Sequence, residues 1–142
     1  MPTQTYELFI RAAPQQVWDA ITRPEHTERY FFGTRVAFEN GRIEYTAGPQ
    51  LVVDGEVLKR ENGRELVTTW RIHYAPACAS EISRVTWRVE PRGEATKLTA
   101  IHELDGAPNT AESVGTNGWS VVLSGLKTLL ETGTPLVVGQ PG

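Results

Sequence analysis

Three histidines, one cysteine and scattered carboxylates are the side chains that could carry a proton, a metal or a nucleophile. His102 stands out among them. It lies in TKLTAIHEL, Thr96–Leu104, a run with strand character. By alternation it shares a side with Leu98 and Ala100, so it is expected to face an apolar interior. A histidine there could orient a polar group of a ligand or exchange a proton near neutral pH. The commoner alternative is a core histidine hydrogen-bonded to a neighbour. His73 falls on the opposite face of its strand, which argues against a two-histidine metal site with His102. His26 sits beside short helices and is expected to be exposed. Cys78 is the single cysteine, so no internal disulfide forms, and in the loop-like APACAS it reads as an incidental thiol.

A second group is aromatic. Tyr45, Trp70, Trp87 and Trp119 could form one wall, since Tyr and Trp combine apolar area with a polar handle. The plainer reading is that they pack the core. Phe31 and Phe32, just before Gly33, either gate a pocket mouth or tuck their loop down. Other chemistries find little support. There is no GxSxG, HExxH, CxxC or P-loop. Asp54 and Glu56 share a face by period two, yet carboxylates on strands are usually solvated, and no paired-carboxylate mechanism is defensible. No catalytic residue, cofactor or metal is therefore assigned.

Composition sets broader limits. The chain has 142 residues, enough for one domain with a real core. Its 14 basic and 17 acidic residues are interspersed and give a net charge of −3. That balance argues against nucleic acid or an anionic membrane surface as the main partner. No apolar run approaches the roughly 20 residues of a membrane helix. The N-terminus lacks a signal-peptide pattern, so the cytoplasm is the expected compartment.

The elements that must position these residues follow from periodicity. The one long helical pattern is Thr116–Thr132, TNGWSVVLSGLKTLLET. Trp119, Leu123, Leu126 and Leu130 share one face of it, widened by Val122 and Leu129. Thr116 or Asn117 can cap its start, and Gly133 followed by Pro135 reads as a stop. An isolated helix of this length is marginal in water, and Gly118 and Gly125 each weaken it by roughly 1 kcal/mol relative to Ala. It needs a surface to lie on, and the two glycines could admit a close backbone or a ligand. Burying four large apolar side chains contributes about 6–12 kcal/mol as an upper estimate.

The rest reads mainly as strands. Tyr6–Ile10 is a first strand, followed by a helix over Ala13–Thr22 and a helical turn over Glu25–Tyr30. Strands are predicted over Thr34–Glu39, Arg42–Thr46, Leu51–Lys59, Glu65–Tyr74, Ile82–Glu90 and Thr96–Leu104. Asn40-Gly41 and Asn62-Gly63 are hairpin turns, and Gly55 suggests a bulge. Ala75–Ser80 and Asp105–Asn109 are loops, and the tail from about Pro135 is loose. Successive hairpins imply an antiparallel meander. Leu66, Thr68, Trp70 and Ile72 should face one side, with Val85, Trp87 and Val89 and with Leu98, Ala100, His102 and Leu104. Arg71, His73, Arg84, Arg88, Lys97 and Glu103 should face the other. One helix is too little to fill the concave side of such a sheet. A mostly apolar cavity is expected between them, lined by Tyr45, Trp70, Ile72, Trp87, His102, Trp119 and Leu123.

Several segments, in order, resemble one family. They are APQQVWDAITRPE at Ala13–Glu25, Gly55-Glu56-Val57, GRELVTTW at Gly63–Trp70, RVTWRVEP at Arg84–Pro91, ATKLTAIHEL at Ala95–Leu104, and GWSVVLSGLKTLLETG at Gly118–Gly133. Together they cover nearly the whole chain and resemble the START-like, helix-grip superfamily called SRPBCC. Within it they resemble the AHSA branch, named for activators of heat-shock-protein ATPase. The resemblance implies an α+β fold of the START/Bet v type, a single domain over 1–142. A curved antiparallel sheet of about seven strands would wrap a long C-terminal helix, with two short helices after the first strand. It also implies a deep pocket between sheet and helix. Relatives bind lipids, sterols, polyketides and plant hormones, and some carry out cyclisation. The recurring residues of the family build the fold and are not a shared catalytic set, so fold does not choose the function.

The leading expectation is binding of a small hydrophobic or aromatic molecule. An alternative is an enzyme on the same scaffold, a cyclase or hydrolase of an aromatic or polyketide-like compound, with His102 or Tyr45 moving the proton. A second alternative is co-chaperone-like stimulation of a heat-shock-protein ATPase. The absence of a visible chaperone-docking appendage counts against it. A homodimer through exposed sheet edges is compatible with the pattern.

Overall fold

The computed structural model describes residues 3–115 and 118–137. One seven-stranded antiparallel sheet runs in the order β1-β7-β6-β5-β4-β3-β2. Its strands are β1 (Thr3–Ile10), β2 (Arg35–Glu39), β3 (Arg42–Ala47), β4 (Gln50–Glu61), β5 (Glu65–Ile72), β6 (Ser83–Arg92) and β7 (Ala95–Glu103). The helices are α1 (Pro14–Thr22), α2 (Pro24–Tyr30), α3 (Pro108–Gly115) and α4 (Gly118–Thr132). This is the helix-grip arrangement, a curved meander closed by β1 returning beside β7, with α4 packed inside the curve.

The alternation expected in β5, β6 and β7 is observed. Leu66, Thr68, Trp70, Ile72, Val85, Trp87, Val89, Leu98, Ala100, His102 and Leu104 are all buried. The register places Trp87 between Leu66 on β5 and Ala100 on β7, so one row of interior side chains crosses three strands. The outer face is laced by ion pairs. Arg84 meets Glu103 with two bonds of 2.9 Å, Lys97 meets Glu7 at 2.6 Å, and Glu65 holds both Lys59 and Arg88.

Sheet curvature has a visible source in β4. The register slips between Val57 and Lys59, a bulge just beyond Gly55. At Gly55 itself a Cβ would lie 1.9 Å from the Thr69 carbonyl oxygen, so only glycine fits against β5 there.

Four details differ from the periodicity. First, α3 lies where the sequence pattern shows a loop and an unassigned stretch. Glu81 supplies the reason: its carboxylate accepts the Asn109 and Thr110 backbone N–H groups at 3.3 and 2.8 Å, an N-terminal cap from 28 and 29 residues away. Second, Leu129 is fully buried on α4 while Leu130 is only half-buried, so the buried stripe is rotated toward Val122, Gly125 and Leu129. That rotation brings α4 against α2, where a Cβ on Gly125 would sit 3.2 Å from Tyr30 Cβ. Third, β5 ends at Ile72: the His73 N–H still bonds the Val52 carbonyl of β4 at 2.8 Å, and Tyr74 lies beyond the strand. Fourth, His26 is half-buried, where exposure was expected. Thr116 and Asn117, the candidate caps of α4, lie outside the described residues, as do the tail residues beyond 137.

Candidate functional site

A cavity of about 300 Å³ opens between the first turn of α4, the end of α3, the α2–β2 turn and the concave faces of β3, β4 and β5. Its inner wall is aromatic. Phe31, Tyr45, Trp70 and Trp119 form it, with ring centroids 4.9 Å apart for Phe31–Tyr45, 5.2 Å for Tyr45–Trp70 and 5.8 Å for Trp70–Trp119. These spacings lie in the range of favourable tilted and offset aromatic pairs. Val52, Val53, Val114, Val121 and Val122 complete the apolar lining. No charged side chain is among the lining residues.

Local structure sets each part of the wall. Thr27 and Thr34, both buried, pin the turn after α2. The Phe31 carbonyl accepts Thr34 N–H at 3.0 Å and Thr34 Oγ1 at 2.7 Å, while Thr27 Oγ1 accepts Val36 N–H at 3.1 Å. The chain then separates the two phenylalanines. Phe31 is 7% exposed and joins the aromatic wall. Phe32 is 64% exposed at the mouth, in a left-handed backbone with φ of 51° that non-glycine residues seldom adopt. One residue tucks the loop down and the other borders the opening. Across the mouth, the Tyr74 and Ser113 hydroxyls are 2.7 Å apart and tie the end of β5 to α3.

Of the seven residues singled out in the sequence, Tyr45, Trp70 and Trp119 line this cavity. Ile72, Trp87, His102 and Leu123 are buried in the packed interior and do not line it. Trp87 packs edge-on against Trp119 at 5.4 Å. His102 is 1% exposed and fully engaged. Trp119 Nε1–H donates to His102 Nδ1 at 3.0 Å, so the ring proton resides on Nε2, which donates to Ser83 Oγ at 2.7 Å. Ser83 in turn donates to the Trp70 carbonyl at 3.2 Å. Burial pushes the imidazole pKa down to about 4. A proton on Nδ1 would also face the Trp119 N–H, donor against donor. His102 is thus held as a neutral linker between β6, β7 and α4.

Two polar groups of the wall lack such partners. Trp70 Nε1 is sealed from water and donates to nothing among the described residues. The Tyr45 hydroxyl makes no hydrogen bond to a described residue, and burial pushes its phenol pKa up. It stays protonated at neutral pH.

Asp54 corrects the expectation of solvated strand carboxylates. It is 5% exposed on the outer face, surrounded by Arg42 at 2.8 Å, Arg71 at 3.3 Å and His73 at 2.7 Å. Burial pushes its carboxyl up, but the hydrogen bonds from His73, Arg71 and Arg42 outweigh this and hold it below the usual value. The cluster ties β3, β4 and β5 together on the side away from the cavity. Glu56 is exposed.

The sequence reading missed Val52, Val53, Tyr74, Ser113, Val114, Val121 and Val122. Extending the Trp70–Ile72 parity by one step reaches Tyr74. Val121 and Val122 lie within one helical turn of Trp119. Ser113 had no local signal, because α3 owes its position to the distant Glu81.

A curved sheet gripping a helix over an aromatic cavity defines a helix-grip protein of the SRPBCC class. Within that class, residues 11–131 match the model of the family described as Activator of Hsp90 ATPase homolog 1-like protein, and the chain belongs to that family. No curated protein matches the chain. Among solved structures it is similar to protein MLL2253 from Mesorhizobium loti, with 27% identity, 91% of this chain and 96% of that chain covered, and a TM-score of 0.74. It is also similar in fold to CalU16 from Micromonospora echinospora, with 24% identity, 94% and 76% covered, and a TM-score of 0.72. The Aha1 dimer from Colwellia psychrerythraea shares the fold at 15% identity, with 94% and 98% covered and a TM-score of 0.73. No helix among the described residues is long and apolar enough to cross a membrane.

Proposed function

We propose that this protein binds a small hydrophobic or aromatic molecule in the cavity between the sheet and α4. The observation that carries this reading is the wall of Phe31, Tyr45, Trp70 and Trp119 around about 300 Å³ of space with an open mouth. Apolar, concave and sparsely polar surroundings are the usual setting of a small-molecule site. The geometry lends less to acid–base catalysis. His102 is neutral, buried and committed to two hydrogen bonds, and Tyr45 is a reluctant acid. Heat-shock ATPase stimulation remains a reading drawn from the family description, without a feature of this cavity to favour it.

The reading expects one domain acting in the cytoplasm, with the ligand as its partner. The outer strands β1 and β2 leave sheet edges through which two copies could pair, which sedimentation would test. The direct test of binding is native mass spectrometry of protein purified from its own host, followed by titration of lipophilic compounds. A stoichiometric bound molecule is expected. Ligand at about 100 times its dissociation constant should raise stability by about 2.7 kcal/mol and change the fluorescence of Trp70 and Trp119. If a chemically diverse set of lipophiles moves neither thermal stability nor fluorescence, the reading fails.

A further inference from the structure

We propose that His102 and Ser83 are positioning residues of the cavity: through the Trp119 indole N–H they hold that ring as a fixed wall, so affinity for an apolar ligand depends on two residues that do not line the site. This inference rests on the reading of the cavity as a ligand site and names what sets its strength.

Trp119 is where the packed interior and the cavity meet. Its ring lies against Phe31 at 6.2 Å, Trp70 at 5.8 Å, Trp87 at 5.4 Å and His102 at 5.8 Å between centroids, and it also lines the cavity. Packing restrains the ring on the sides that these neighbours occupy and leaves the cavity side open. A side chain beside such a space gains dispersion contacts by moving into it. Those contacts have little directional preference, so they do not fix the rotation of an indole. The N–H does, because a hydrogen bond weakens steeply with angle. Turning the ring into the cavity would break that bond in a buried place and strand both Trp119 Nε1 and His102 Nδ1.

That bond is the first of three that run one way. An indole nitrogen only donates, so His102 Nδ1 accepts at 3.0 Å and the imidazole proton is on Nε2. Nε2 donates to Ser83 Oγ at 2.7 Å, which leaves the hydroxyl proton for the Trp70 carbonyl at 3.2 Å. The sheet register supports the path: Ser83 pairs with Trp70, and Val85, two residues on, pairs with His102. The relay thus runs from α4 through β7 and β6 to the backbone of β5. Its two ends, Trp119 and Trp70, both line the cavity. A wall fixed before the ligand arrives spares the ordering of one large side chain on binding, which corresponds to about three- to tenfold in affinity.

The test titrates the full chain with N-phenyl-1-naphthylamine, an uncharged apolar fluorophore, and compares wild type with His102→Leu, His102→Asn and Ser83→Ala. Far-ultraviolet circular dichroism and urea unfolding establish that each variant is folded. Leucine keeps much of the bulk and removes the acceptor, whereas the Asn side-chain oxygen can take the place of Nδ1. His102→Leu should bind the fluorophore about three- to tenfold more weakly, and His102→Asn should recover most of that loss. Ser83→Ala, the mildest change, should bind it about two- to threefold more weakly and keeps the test decisive if His102→Leu does not fold. The Trp119 indole resonance, identified by its absence in Trp119→Phe, reports the ring directly. Relative to the backbone amides of α4, its N–H should exchange with deuterium about tenfold faster in His102→Leu and near the wild-type rate in His102→Asn. Equal losses of affinity in His102→Leu and His102→Asn would overturn the inference, by reducing His102 to packing. Wild-type affinity in a folded His102→Leu or in Ser83→Ala would do the same, as would Trp119 exchange that merely follows the α4 amides. Each of these outcomes leaves the ligand-site reading standing. If wild type does not bind the fluorophore, the titrant becomes the lipophile that stabilises wild type most in the broader screen, and a screen without one overturns both readings together.

Discussion

The two ends of the concave interior are built from the same kinds of residue and finished differently. At the β6–β7 end, Trp87, Trp119 and His102 pack edge to face, and the Trp119 N–H, both His102 ring nitrogens and the Ser83 hydroxyl are joined in the chain Trp119–His102–Ser83–Trp70 carbonyl. At the β3–β5 end, Tyr45, Trp70 and Phe31 pack just as closely, but the Trp70 indole N–H has no partner among the described residues, no described residue is hydrogen-bonded to the Tyr45 hydroxyl, and a cavity lies beside the rings. Aromatic content and burial do not separate core from site here. Hydrogen-bond completion does, because a core must satisfy its own polar groups, whereas a binding site can leave some for the ligand.

The comparison is broken most severely at the closed end. His102→Ala removes a buried ring and strands the Trp119 N–H, so a loss of about 3–5 kcal/mol is expected in urea unfolding. A loss below about 1 kcal/mol would show that the histidine chain is not what holds this end shut.

The same residue sharpens the comparison through pH. Its folded pKa is about 4 against an ordinary value of 6.5, so between these values the unfolded chain binds the extra proton. Stability from this group is therefore complete above about pH 6.5, falls as pH drops toward 4, and is flat below that. About 2–3 kcal/mol should be lost between pH 7 and pH 4.5. His102→Gln, which cannot charge, should lose much less over the same interval. The carboxylates with lowered values, among them Asp54 and Glu65, have their ordinary values at 3.8 and 4.5, so their losses fall mainly below this window. Parallel curves for wild type and variant would refute the neutral, buried imidazole.

The sequence carried much of this architecture and little of the distinction. Period-two alternation in β5, β6 and β7 identified their interior residues, because one face of a meander must be apolar. Asn40-Gly41 and Asn62-Gly63 set two of its turns. Alternation also placed His102 inward correctly, but it could not say whether inward meant cavity or core. That depended on Trp119, which reaches it from 17 residues away on another element. The separation of Phe31 from Phe32 was equally hidden, since it follows from a left-handed residue and two buried threonines. α3 was invisible for a related reason: its N-terminal cap is Glu81, on a loop distant in sequence.

One substitution made at both ends isolates the difference. Trp119→Phe leaves His102 Nδ1 without its donor, whereas Trp70→Phe removes a donor that had no acceptor among the described residues. Both lose ring volume, so both should destabilise. Trp70→Phe should cost about 1 kcal/mol, and Trp119→Phe about 1–2 kcal/mol more. Equal costs would mean that the Trp70 N–H has a stabilising role in the free protein, and the contrast between the two ends would lose its basis.

The smallest effect on stability is expected at the mouth. Phe32 stands largely in solvent, so Phe32→Ala should change the unfolding free energy by less than about 0.5 kcal/mol. Phe32→Gly should be neutral or slightly stabilising, because glycine adopts the φ of 51° without steric cost, against which its greater freedom in the unfolded chain must be set. Yet the ring borders the cavity, and covering an apolar ligand with it removes further surface from water. Both variants should therefore weaken binding of a lipophile several-fold at nearly unchanged stability, measured by titration and urea unfolding on the same samples. The pattern matters more than either number. A residue held in a costly backbone conformation, with little to contribute to the fold, is best explained by what it does for the cavity. If both variants bind as wild type does, the ring is a bystander of the turn that seats Phe31.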